Sequence, residues 1–235
     1  MKKLLSGLCL LAIMSSAVAE ASPFSFLFSR SNNEAFGSSS WVNKETSILK
    51  SQASNINEKV LRLSLTAYLH AKRQGRAVKP YLTVIDFSKA SYEKRLWVFD
   101  MSRNRELYNT WVTHGKNSGG VEATSFSNTP GSLKSSLGVF LTDEPYMGGN
   151  GYSLRLRGLE RGVNDNAYRR DIVIHGAWYA NAATIRKYGQ AGRSWGCPAI
   201  SNDLARPVIN TIKGSSMVFA YYPDRNWLSH SQYLA

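Results

Sequence analysis

A thiol attacks a carbonyl only when something takes its proton, so the cysteines and their possible bases come first. The 235-residue chain holds two cysteines and four histidines. Gly192-Arg193-Ser194-Trp195-Gly196-Cys197-Pro198 surrounds one cysteine with small residues. Gly196 would let a substrate approach the backbone closely, and Pro198 would rigidify the exit. In Asp171-Ile172-Val173-Ile174-His175-Gly176, a histidine stands where a run of β-branched residues gives out. That run predicts a buried strand, whose end can hold a catalytic group rigidly while Gly176 lets the chain turn. A free cysteine has a pKa of about 8.5, so an imidazole taking its proton would leave a nucleophilic ion pair. The amides of Gly196 and Cys197, or neighbours, could then hold a developing oxyanion. The chemistry implied is acyl transfer from an amide. Metal chemistry fits poorly, because no second cysteine and no histidine pair stand at ligand spacing, and no cofactor is implied.

Each residue also has a plainer use. An isolated buried cysteine usually serves as a small apolar side chain, and an isolated histidine as a hydrogen-bonded core group. His114-Gly115 repeats the His-Gly doublet after another apparent strand and is a rival base. Local pattern does not choose between the two. A short helix expected after His175 could return the chain to the Ser194 turn, which favours His175.

The first residues read as an export signal. Lys2 and Lys3 precede an apolar stretch over 4–14, and Ala17-Val18-Ala19 offers small residues for cleavage after Ala19. The apolar run is short for a membrane span, and no later stretch could form one. With Cys9 inside the signal, Cys197 is alone in the mature chain, where it cannot form an internal disulfide. The formal net charge is +13. It draws anionic partners, and export argues for a wall polymer over nucleic acid. The expected location is the periplasm or cell wall of a bacterium. The sequence sets no oligomeric state.

The elements that must position the pair follow from periodicity. After the signal (1–19), residues 20–40 read as a poorly ordered spacer. Over 41–78 the apolar residues Leu49, Ala53, Ile56, Val60, Leu63 and Ala67 recur at helical spacing, predicting a helix or helix pair that covers a sheet. Residues 79–235 read as the catalytic domain. Strands are expected over 81–87, 96–101, 107–112, 138–142, 152–156, 171–174 and 217–222, with a turn at Arg103-Asn104. Helices are expected over 182–188 and 202–213, the second capped by Ser201 and kinked or restarted at Pro207. The polar stretch 115–136 is long for a loop, which suggests function. The fold class is mostly β with few helices (α+β).

Ile174-His175-Gly176 followed by Ser194-x-Gly196-Cys197 resembles the signature of the YkuD-type L,D-transpeptidase catalytic domain. Thr129-Pro130-Gly131 and Leu137-Gly138-Val139-Phe140 are similar to that family's strand entry, and Pro198-Ala199-Ile200 continues the likeness, which spans 81–223. Arg193 to Ala199 resembles a divergent branch, the murein L,D-transpeptidase catalytic domain family. The resemblance implies a mixed β-sandwich or barrel preceded by a helical segment. It also implies that Cys197 attacks the diaminopimelate carbonyl of a peptidoglycan tetrapeptide stem and releases D-Ala, with His175 as base and acid. An amine acceptor would give a 3-3 cross-link, and water an L,D-carboxypeptidase. Gly176, next to the base, could orient it only through its carbonyl. The family commonly has His two residues before the cysteine, and Arg or Asn two after. Here those positions are Trp195 and Ala199, so proton transfer falls to His175. Arg193 is then the candidate for a stem carboxylate, with Ser194, Trp195, Trp178 and Tyr179 as further substrate contacts. A wall-binding module without activity is the rival reading. Sortases and Cys-first amidases fit the residue order less well.

Overall fold

The computed structural model describes residues 36–234. The expected export signal and most of the expected spacer lie outside the described residues. Helix α1 (Ser39–Gln52) starts where Ser38 Oγ accepts from Trp41 N at 3.1 Å, so the end of the stretch expected as spacer is helical. Helix α2 (Glu58–Arg73) is capped by Asn57, whose Oδ1 accepts from Lys59 N and Val60 N. Between them Asn55 Oδ1 accepts from Trp97 Nε1 at 3.0 Å, pinning the helix pair to the sheet. Leu49, Ile56, Leu61 and Leu65 share one core with Leu82, Trp97 and Phe219.

Eight strands follow: β1 (Tyr81–Asp86), β2 (Leu96–Asp100), β3 (Arg105–Thr110), β4 (Gly138–Gly148), β5 (Gly151–Gly158), β6 (Val173–Gly176), β7 (Ala199–Ile200) and β8 (Met217–Tyr221). They form one mixed sheet in the order β3-β2-β1-β8-β4-β5-β6-β7. The β1–β8 and β6–β7 pairs are parallel and the others antiparallel. The expected turn closes the β2–β3 hairpin. Asp100 Oδ1 accepts from Ser102 N and Arg103 N, and Asn104 takes a left-handed φ of 49°. Beyond β3 the chain runs beside β7, with Thr113 N donating to Ala199 O at 2.9 Å and Gly115 bridging Ser194. The two ends of the strand order thereby meet, as in a nearly closed barrel.

The remaining helices are α3 (Ala182–Tyr188), α4 (Asn202–Ile212) and α5 (Arg225–His230). Helix α4 runs unbroken through Pro207, contrary to the expected kink or restart. Both Pro207 and Asp203, whose carbonyl would have bonded the missing N–H, are exposed, so water can serve that carbonyl. Ser201 stands at the N-cap, but its side chain makes no capping bond. Among the described residues no helix is long and apolar enough to cross a membrane.

A buried carboxylate locks the C-terminal helix to the sheet. Glu160 accepts from Val139 N (2.7 Å), Trp227 Nε1 (3.1 Å) and Ser231 Oγ (2.5 Å). Glu160→Ala would leave three buried donors without an acceptor, at a cost of about 3–5 kcal/mol. Glu160→Gln retains an acceptor oxygen and should cost clearly less. Urea melts of the two variants check this, and equal losses would show that the carboxylate does not organise the corner.

Candidate active site

The last strands bring the two candidate residues to neighbouring positions. His175 in β6 pairs with Ala199 in β7, two residues beyond Cys197. The imidazole is buried, and its Nδ1 lies 2.8 Å from Gly176 O. Nδ1–H donates there, which leaves Nε2 with a lone pair. Burial lowers the pKa of His175, opposed by the bond to Gly176 O, so the ring is neutral at pH 7 and able to accept a proton. Gly176 makes no sharp turn, contrary to expectation. It continues β6 opposite Ile200. A Cβ there would lie 2.7 Å from Asn202 Oδ1 and 3.1 Å from Ala205 Cβ, so the close approach of α4 requires the glycine.

Cys197 is buried rather than partly exposed, and its thiol donates to Asp171 O at 3.4 Å. Burial pushes the thiol pKa up, while the Val173 amide and the Arg170 guanidinium favour the thiolate. The resting state is therefore a neutral thiol and not the expected ion pair with an imidazole. Asp171, expected to open the strand, has a left-handed φ of 52°. Its side chain turns outward to Arg155 at 3.3 Å.

The turn before the thiol is braced from inside. Gly196 has φ +127°, and a Cβ would lie 2.8 Å from Lys134 O and 3.2 Å from Ile172 Cδ1, so only glycine fits. Ser194 Oγ accepts from Gly196 N at 3.1 Å and donates to Cys197 O at 2.6 Å. The Gly196 amide is thus committed within the turn, which removes it from the expected oxyanion pair. Buried Ser194 is a brace and not a substrate contact. Ser135 Oγ donates to Gly196 O at 3.1 Å and accepts from Gly115 N at 3.0 Å, stitching the long polar loop to the turn. Arg170, which no sequence motif marks, reaches the same loop through Ser132 Oγ and Lys134 O.

His114 lies in this region as well, but both its nitrogens are occupied. The buried Arg95 guanidinium donates to His114 Nδ1 at 2.8 Å and also to Val112 O and Lys89 O. The remaining nitrogen, Nε2, faces Gly119 O at 3.4 Å. Burial, with the Arg95 charge beside it, lowers the His114 pKa to about 4. It is a poor base at neutral pH.

An open cleft of about 670 Å³ adjoins the turn, lined among others by Lys116, Trp178, Tyr179, Tyr188, Gln190 and Arg193. Helix α3 forms one wall, fixed by Asn181, whose Oδ1 accepts from Thr184 N. Gly192 N donates to Tyr179 O at 2.8 Å. The Tyr179 hydroxyl pKa is raised by burial and then by the Cys197 sulfur, which places the thiol within electrostatic reach of the cleft wall. Arg193 is exposed, with Nη1 donating to Gly119 O at 3.1 Å. Trp195 is 75% exposed, and the Lys116 ammonium lies 6.0 Å from its ring centre. Sequence reasoning missed Lys116, Tyr188 and Gln190, which carry no motif and meet only through the fold. Among the described residues no three His, Cys, Asp or Glu side chains gather as a metal site would require.

Residues 52–221 match the family described as L,D-transpeptidase catalytic domain, and the chain belongs to that family. The match begins earlier than the motifs suggested and takes in α2. Among solved structures, the chain is similar to an L,D-transpeptidase from Mycobacterium smegmatis, with 14% identity and a TM-score of 0.38 over 61% of this chain and 59% of that one. It is similar to L,D-transpeptidase 3 from Mycobacterium tuberculosis, with 11% identity and a TM-score of 0.40 over 61% of each chain. Bdellovibrio bacteriovorus Bd1075 gives 14% identity and a TM-score of 0.39 over 61% of this chain and 48% of that one. The chain therefore spans about three fifths or less of these relatives. No curated protein is matched.

Two measurements follow. Between pH 6.5 and about 4 the unfolded chain binds a proton at His114 that the folded chain does not. The resulting stability is complete above 6.5 and lost as pH falls towards 4, amounting to roughly 3 kcal/mol. His114→Gln should lose this component, so the drop in urea stability from pH 7.5 to 4.5 should be smaller in the variant than in the wild type. Equal drops would mean that His114 is not held neutral. Separately, alkylation of Cys197 in the free protein should have its midpoint above the ordinary thiol value of about 8.5. A midpoint below 7 would reveal a preformed thiolate and contradict the neutral resting state.

Proposed function

We propose that this chain is a peptidoglycan L,D-transpeptidase in which Cys197 is the nucleophile and His175 its base. The observation that carries this is the tautomer of His175. Its Nδ1–H is held by Gly176 O, leaving Nε2 as a proton acceptor one strand from Cys197, the free cysteine of the described residues. A neutral thiol must lose its proton as it attacks. It leaves Asp171 O, gives the proton to His175 Nε2, and its sulfur bonds to the diaminopimelate carbonyl of a tetrapeptide stem. The Cys197 amide would serve as a donor to the oxyanion, since the Gly196 amide is committed. The C–N bond to D-Ala breaks, and His175 returns the proton to the departing amine. An acceptor amine, deprotonated by His175, then opens the thioester to give a 3-3 cross-link, and water would give carboxypeptidase activity. Arg170 would assist by favouring the thiolate. Export to the periplasm or cell wall belongs to the same proposal.

A wall-binding domain without catalysis is the second reading, favoured by the buried thiol turned onto Asp171 O. Incubation with purified muropeptides and mass analysis separates the two. Transpeptidation or D-Ala release is expected, abolished in Cys197→Ala and reduced at least about 10²-fold in His175→Ala. His114→Gln should lose far less than His175→Ala. Unchanged muropeptides with folded wild-type protein would leave only the binding reading.

A further inference from the structure

We propose that the open cleft beside the cysteine turn is a sugar subsite, which takes an N-acetylated hexosamine of the glycan strand bearing the stem peptide. The inference rests on the peptidoglycan reading above and adds a second part of the substrate to it. Four features of the cleft point to this ligand.

The first is size. At about 670 Å³, the cleft falls in the range of sites for ligands of drug size and is far larger than a single terminal residue needs. The second is its aromatic rim. Trp178 is 67% exposed and Tyr188 57%, a costly arrangement for large rings unless something covers them. Trp178 packs edge-on against Tyr179, with ring centres 5.6 Å apart, which holds the indole in place. A pyranose presents a flat C–H face to such a ring and polar groups around its edge, so it suits a site with aromatic walls and a polar floor.

The third feature is an unused acceptor. Gln190 Oε1 is buried in the cleft lining and accepts no hydrogen bond from the protein. A buried acceptor without a donor is uncommon, and the Gln190 amide, on turning towards the cleft, would meet an acetamido N–H or a hydroxyl of the sugar. The fourth is charge. The lining contains Lys116 and Arg193 and no carboxylate, which suits a ligand whose attached peptide carries acidic groups. The cleft also lies at a useful place. Arg193 is four residues before Cys197, and the neighbouring Gly192 N donates to Tyr179 O, so the cleft wall and the cysteine turn are joined through the backbone. A sugar held there would leave its stem free to run towards the thiol.

The test has two arms, both on the intact chain. In the first, intrinsic tryptophan fluorescence is titrated with a tetramer of N-acetylglucosamine. A saturable change is expected, lost in Trp178→Ala and weakened at least about tenfold in Gln190→Leu; its absence in wild-type protein overturns the subsite. In the second, turnover of disaccharide-tetrapeptide is compared with turnover of free tetrapeptide. Trp178→Ala should raise KM for the disaccharide substrate at least about tenfold more than for the free peptide. Equal effects on both would assign the cleft to peptide and refute the sugar reading while leaving the transpeptidase reading intact. If neither substrate turns over, the catalytic reading fails, and the fluorescence arm still decides the sugar subsite.

Discussion

Two backbone hydrogen bonds, Thr113 N to Ala199 O and Ser194 N to His114 O, tie the chain leaving one end of the sheet to the short strand at the other. Much of the site depends on that closure. β7 is only two residues long and could not hold its place through pairing with β6 alone. With the 113–115 segment on its other side, it has partners on both. The turn carrying Cys197 is fixed at the same junction. Arg95 anchors the closing segment from the core, donating to Val112 O through Nε and Nη2 and to His114 Nδ1. A buried guanidinium is costly unless its donors find acceptors. Here the acceptors are backbone carbonyls and one neutral imidazole, and His114 serves the architecture of the site without being turned towards its chemistry.

The same packing explains why the thiol rests neutral. Cys197 faces into the protein, where burial disfavours the thiolate and Asp171 O accepts its proton. In an oxidising compartment such as the proposed one, a neutral and shielded sulfur resists oxidation and mixed disulfides better than an exposed thiolate would. The cost is that reactivity must be generated when substrate arrives. His175 suits that demand, since it is neutral and its tautomer is fixed by Gly176 O.

How much of this could be read from the sequence depended on how far each signal is local. Strands built on β-branched and aromatic runs, such as 81–86 and 217–221, announce themselves by composition, and the helix pair by its spacing. The two-residue β7 has no periodicity to show. A local rule puts a kink or restart at Pro207, yet a helix tolerates proline where the freed carbonyl meets water. At the site, the sequence singles out Cys197 and His175 as candidates, and their environments are not legible in it. The burial of the thiol, the commitment of the Gly196 amide to Ser194 and the capture of His114 by Arg95 all arise from residues distant in sequence. Gly176 shows the limit well. The local pattern suggests a turn there, but the glycine is required by the approach of α4, which no local pattern encodes.

The cysteine turn separates its duties by alternation. Ser194 and Gly196 point inward and are buried, while Arg193 and Trp195 point outward and are exposed. The inward pair holds the turn through hydroxyl and amide bonds and a backbone conformation only glycine accepts. The outward pair is free to meet a ligand. Trp195 therefore sits at a position where a side chain can change without disturbing the brace beneath it. An indole there has no proton to exchange at neutral pH, so the residue two before the cysteine contributes surface where an imidazole would have contributed acid–base chemistry. With Trp195 there, the proposed base is His175 alone, and the indole extends the aromatic surface from the cleft residue Lys116 onto the turn. In the proposed reaction, proton transfer and ligand contact would be carried by different elements, the first by β6 and the second by the exposed face of the turn and the wall formed by α3.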